Sequence, residues 1–160
     1  MYYIGVIGAR DCGRPPLQLA EEVGAEVARR GAVLICGGGS GVMEAASRGA
    51  SNAGGTAIGI LSGDDHRSGN AFLTFAVATG MGEARNAIIT RTVDGVIAID
   101  GEYGTLSEIA LAIKMGKPVV GIGTWKLSGP GGRGKEIIYR DDPAEAVEVL
   151  YKLLREKIDD

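Results

Sequence analysis

Short apolar runs alternate with longer amphipathic runs along the whole chain, and glycine clusters mark nearly every junction. A short apolar run bounded by glycine is a strand buried on both faces, and apolar residues recurring every three or four positions make a helix with one apolar stripe. By this rule strands fall at 3–7, 32–36, 57–61, 73–78, 96–99 and 119–122, with a short edge strand at 137–139. Helices fall at 16–30, 42–52, 83–93, from the turn 100–104 to Gly116, and at 143–158. Leu17, Ala20, Val23 and Val27 form one stripe, Leu106, Ile109, Ala110 and Ile113 another, and Val147, Leu150, Leu154 and Ile158 a third.

Strands and helices alternating at this spacing predict right-handed βαβ units. The expected fold is therefore α/β: a Rossmann-like, doubly wound, mostly parallel sheet of about 6–7 strands, with helices on both faces and the first strand near the centre. At 160 residues, without an internal repeat or a dividing linker, the chain reads as a single domain over residues 1–160.

Composition narrows the partners. The 27 glycines sit between apolar runs, as turn-makers do, and only 5% of residues are aromatic, so backbones should pack closely. A net charge of −3, with 17 basic and 20 acidic residues intermixed, leaves no footprint for nucleic acid and no basic block for a membrane surface. No apolar run approaches the ~18 residues that span a bilayer. Met1 leads directly into a strand, with no secretory leader, and Cys12 and Cys36 lack metal or redox spacing. The expectation is a cytoplasmic protein with free thiols, neither nucleic-acid- nor membrane-bound.

The unusual residues all follow strand carboxyl ends: Gly8-Ala9-Arg10, Gly37 to Gly41, Gly80 to Arg85 and Asp100 to Thr105. Helix ends carry only short stops. Ligands of open α/β sheets bind outside the carboxyl ends of the strands, so one shared site is expected there. Gly37-Gly38-Gly39-Ser40-Gly41 enters a helix directly from a strand, and glycine N–H groups can converge on an anion at the helix's positive end. It is neither a Walker loop nor a GxGxxG fingerprint, and a ligand-free tight turn is the competing reading.

Gly101-Glu102-Tyr103-Gly104-Thr105 opens a second helix in the same way. Glu108 lies one turn further and leans toward the ligand edge; alternatively, Thr105 and Glu108 form a capping box. Arg85, in the first turn of its helix, opposes the helix dipole unless a phosphate or Glu108 offsets it, or it is a solvated partner of Glu83. His66, between Asp65 and Arg67, reads as part of a solvated loop or lid over 62–70, and no metal site is expected. No Ser–His–Asp set is present, and Trp125 reads as a lid or an oligomer contact.

Together these motifs resemble a known family. Cys36-Gly37-Gly38-Gly39-Ser40-Gly41-Val42-Met43 is similar to the GGGxxGLM loop of the LONELY GUY family, long labelled "lysine decarboxylase-like". Gly101 to Glu108 resembles its PGGxGTxxE motif, and Glu83-Ala84-Arg85-Asn86 its arginine-bearing helix start. The resemblance covers residues 3–122, and the short length is closer still to a compact branch related to molybdenum-cofactor carrier proteins. It implies Arg85 and Glu108 as catalytic residues if the chain is a nucleoside 5′-monophosphate phosphoribohydrolase. It implies a small phosphorylated ligand, AMP-like or molybdopterin-type, held by Gly8, Ala9, Arg10, Gly37, Gly38, Gly39, Ser40, Gly41, Gly101, Tyr103, Gly104 and Thr105. It also implies a homo-oligomer, dimer or tetramer, with no cofactor required for chemistry and no amino-acid decarboxylation. Asp100, Glu102 and Asn86 depart from the motifs' proline, glycine and lysine. With those changes, binding or carrying a nucleotide-like cofactor is the first expectation and N-glycosidic cleavage the second.

Overall fold

The computed structural model describes residues 1–157. The strands are β1 (Tyr3–Gly8), β2 (Val33–Cys36), β3 (Thr56–Leu61), β4 (Phe75–Ala78), β5 (Gly95–Ile99), β6 (Val119–Ile122) and β7 (Ile137–Tyr139). The helices are α1 (Arg14–Arg29), α2 (Val42–Asn52), α3 (Asn86–Thr92), α4 (Tyr103–Lys114) and α5 (Pro143–Glu156). All seven strands join one sheet in the order β4-β3-β2-β1-β5-β6-β7, and every pairing is parallel. The chain winds outward from β1 to β4, then returns to lay β5 against the other side of β1. That reversal opens a crevice at the carboxyl ends of β1 and β5.

Side chains alternate between the two faces, as pleating requires. Ile4, Val6, Leu34, Ile97, Ile99 and Val120 pack against α1, α2 and α5 through Val23, Val27, Ala46, Ala50, Val147 and Leu150. On the opposite face Ile7, Ile35, Ile60, Val96 and Ala98 meet Ile89 and Val93 of the α3 segment and Ile109 and Ala112 of α4. The first layer owes its thinness to small residues. Gly24 of α1 lies against the Ala46 carbonyl and Gly49 of α2 against the Glu21 carbonyl, so that any Cβ at either position would collide with backbone.

The second layer is incomplete. Phe75 and Val77 pair in register with Ile58 and Ile60, so they share the α3–α4 face, yet Phe75 is 62% exposed and Val77 47%.

Most expected elements stand within one or two residues of the positions read from the sequence. Three differ for identifiable reasons. The helix expected over 83–93 is a 3₁₀ turn, Gly82–Arg85, followed by α3. The strand expected from Leu73 begins at Phe75, since the Leu73 side chain instead fills the space left by Gly38 and Gly59. The helix after β5 starts at Tyr103 with Glu102 as N-cap, so Thr105 lies inside the first turn and the Thr105–Glu108 capping box does not form. Ile158, expected on the α5 stripe, lies outside the described residues.

Candidate functional site

A cavity of about 250 Å³ opens at the β1/β5 switch point. The β1 end supplies Gly8, Ala9 and Arg10, and the loop after β2 supplies Gly37. The 3₁₀ turn and the start of α3 bring Glu83, Arg85 and Asn86; the α4 entrance brings Glu102, Gly104, Thr105 and Glu108. Gly37 and Met43 thus share one space with the α4 entrance, and Val42 N–H donating to the Ala9 carbonyl at 3.0 Å ties the α2 start to the β1 loop.

Arg85 is 8% exposed. One guanidinium N–H donates to the Ile60 carbonyl at 2.8 Å, which anchors the group at the end of β3. Its Nε, also buried, has no hydrogen-bond partner among the described residues. Gly37 makes the space: a Cβ there would run into the guanidinium. Burial lowers the pKa of Arg85, Glu108 opposes the shift, and Arg10 adds to it by like-charge repulsion. Two guanidiniums held near each other with one buried donor unspent are an arrangement that an anion would complete.

Glu108 is also 8% exposed. Desolvation pushes its carboxyl up to about 7, and the Arg85 charge only partly offsets this. A carboxyl that divides between its two protonation states near neutrality can give or take a proton. The α4 start is held from behind: Trp125 Nε1 donates to the Glu102 carbonyl at 3.1 Å, and the Trp125 ring packs against Tyr103 at 5.7 Å. Trp125 therefore braces the helix entrance.

Of the residues singled out from sequence, Gly8, Ala9, Arg10, Gly37, Arg85, Gly104, Thr105 and Glu108 line the cavity, whereas Gly38, Gly39, Ser40, Gly41, Gly101 and Tyr103 do not. Gly38 and Gly41 have positive φ and shape the α2 entrance: the Gly38 carbonyl accepts from Asn70 N–H, and Gly41 crowds the Arg10 carbonyl. Gly39 lies beneath the Arg10 guanidinium, and the Ser40 hydroxyl donates to the Arg10 carbonyl at 3.5 Å. Gly101, at φ 124°, packs on Thr105, and Tyr103 is 80% exposed. The solvated Arg85–Glu83 pair does not occur, because Arg85 is drawn inward to β3. His66 stands on an exposed 3₁₀ turn capped by Asp65.

Met43, Glu83, Asn86 and Glu102 line the cavity without having been singled out as site residues. The sequence marks Glu83 only as a candidate partner of Arg85, and Glu102 and Asn86 only as departures from the resembled motifs. Which of them turns inward depends on how the α3 and α4 entrances meet, where Asn86 Nδ2 donates to Ser107 Oγ at 3.1 Å.

Comparison with known proteins agrees with this fold. An uncharacterised protein of Archaeoglobus fulgidus is 45% identical over 119 residues, spanning 74% of this chain and 78% of that protein. The structure of the molybdenum cofactor binding protein from Rippkaea orientalis superposes with a TM-score of 0.86 at 33% identity, over 96% of this chain and 97% of that one. The Moco carrier protein of Chlamydomonas reinhardtii gives 0.85 at 33% identity, over 97% and 98%. The SLOG cluster4 family matches residues 1–150, essentially the whole described fold, and the chain belongs to that family.

Proposed function

We propose that this protein binds and carries a phosphate-bearing, nucleotide-like cofactor of the molybdopterin type at the β1/β5 switch point. One observation carries the reading: Arg85, buried with an unspent Nε donor, shares with Arg10 the wall of a cavity that the α4 N-terminus borders. Those elements suit a phosphate, since orphan N–H groups and the positive helix ends favour anions. Two of the proteins that superpose on this chain along nearly their whole length are named for molybdenum cofactor binding and carriage, which supports the same ligand class. The cavity lies just below the roughly 300–1,000 Å³ typical of ligand pockets, so it would enclose one end of such a molecule and leave the rest at the rim. For a carrier that suffices, as the cargo must also leave.

Calorimetry with nucleoside monophosphates and phosphorylated pterins tests the proposal. Binding by the wild type and loss of about tenfold or more in affinity in Arg85→Ala is expected, the size of a charge-assisted contact. No binding of any phosphorylated ligand by the wild type discards it.

A second reading rests on a separate observation, the Glu108 carboxyl raised to about 7 inside the same cavity. As a phosphoribohydrolase, the protein would use Glu108 to take a proton from water as the water oxygen bonds to C1′ of a nucleoside 5′-monophosphate. The base would leave with the bond electrons and collect the proton that Glu108 took, which returns the carboxylate to its starting state, and Arg85 would hold the substrate. Incubation with AMP should then release adenine and ribose 5-phosphate, and Glu108→Gln should stop the release. Absence of free base with every nucleotide tried removes this reading and leaves the carrier.

A further inference from the structure

The cavity is not built for an anion alone. Arg10 and Arg85 supply its cationic side, but Glu83, Glu102, Glu108 and Asn86 are among its lining residues as well, with Glu83 and Glu102 at the exposed rim. Asn86 donates one Nδ2 N–H to Ser107 Oγ, which leaves its Oδ1 acceptor and a second N–H for a ligand. Glu102 is the most telling of the four. It occupies the N-cap position of α4, where a carboxylate would ordinarily accept from the first-turn N–H groups, yet its side chain makes no cap bond. Among the described residues it has no ion-pair partner either. Its main chain, by contrast, is fixed: the carbonyl accepts from Leu106 N–H at 3.0 Å and from Trp125 Nε1 at 3.1 Å. An exposed carboxylate at the cavity rim, on a pinned backbone and without an internal partner, presents two acceptor oxygens side by side. Two parallel N–H donors are their complement.

We infer that Glu102 is a specificity-determining residue that selects a ligand ring with adjacent N–H donors, the 2-amino-4-oxo edge shared by guanine and pterin rings, while the arginine side holds the phosphate. The inference rests on the binding function proposed above and names the ring class of its ligand. A ring without that edge leaves the carboxylate desolvated and unpaired, which costs affinity.

The test is calorimetry with guanosine, inosine and adenosine 5′-monophosphates and with inorganic phosphate, on the wild type and on Glu102→Gln. Inosine monophosphate lacks the 2-amino group, and adenosine monophosphate lacks the paired donor edge altogether. Expected is a preference of the wild type for guanosine monophosphate by about tenfold or more, the size of a charge-assisted contact. In Glu102→Gln that preference should collapse while adenosine monophosphate and inorganic phosphate bind as well as before or better, a negative charge having been removed. A merely structural role for Glu102 would weaken all four ligands together and leave their ratio alone. Equal binding of the three nucleotides by the wild type, or a preference that survives Glu102→Gln, overturns the inference and leaves phosphate binding standing. Failure of every ligand, inorganic phosphate included, overturns the binding function and this inference with it.

Discussion

Glu108 shows how a single residue changes meaning between chain and fold. Its place after Thr-Leu-Ser suggested a cap, but α4 begins earlier, at Tyr103, and the carboxyl is carried into the cavity wall. Burial raises its pKa from the ordinary 4.5 to about 7, so the folded state holds this proton more tightly than the unfolded chain does. The resulting stabilisation is fully present below about 4.5 and is lost as pH rises through about 7. Wild-type stability measured against Glu108→Gln, which carries no titrating group there, should therefore fall between those limits, by on the order of 3 kcal/mol. Urea titrations of both proteins from pH 4.5 to 8 check this, and parallel curves would refute it. Asp100 is a second case. It stands where the resembled motif has proline, and its φ of 53° is a conformation the proline ring forbids. The departure from the motif is thus matched by a different backbone, with the Asp100 carbonyl accepting from Thr124 Oγ1.

Among the elements, the α1–α2 pair is the most tightly specified. Gly24 and Gly49 let the two helices touch through backbone, and substitution by alanine at either position must push them apart. Each of Gly24→Ala and Gly49→Ala should cost about 1–3 kcal/mol, as overpacking does, despite alanine's better helix propensity. Equilibrium unfolding in urea with an unchanged m-value would show that the loss lies in the native state. The abundance of small residues in α2 was readable in advance; which glycine faced which carbonyl was not, because that depends on the crossing of two helices distant in sequence. The split of the 83–93 helix was equally hidden. Arg85 belongs to the 3₁₀ turn so that its guanidinium can reach the Ile60 carbonyl, a partner 25 residues away.

At the scale of the whole molecule, the doubly wound sheet is buried over its central strands and left open at the edge strand β4. Parallel sheets are ordinarily buried on both faces, so the bare edge strand β4, with Phe75 and Val77 exposed, is where a second copy of this chain should dock. Sedimentation should find a homo-oligomer that Phe75→Asp shifts toward monomer without unfolding it; a wild-type monomer at all concentrations would exclude that contact. Among the described residues no helix is long and apolar enough to cross a membrane. The sequence by itself determined the fold class, the element order and the clustering of unusual residues at one edge, because hydrophobic period and glycine stops are local properties of the chain. Only the tertiary structure decided that Gly37 makes room for Arg85 while Gly38 to Gly41 shape a turn, and that Glu102 and Asn86 face the cavity. Those assignments depend on how strand-end loops far apart in sequence converge at the switch point, and no local pattern encodes that convergence.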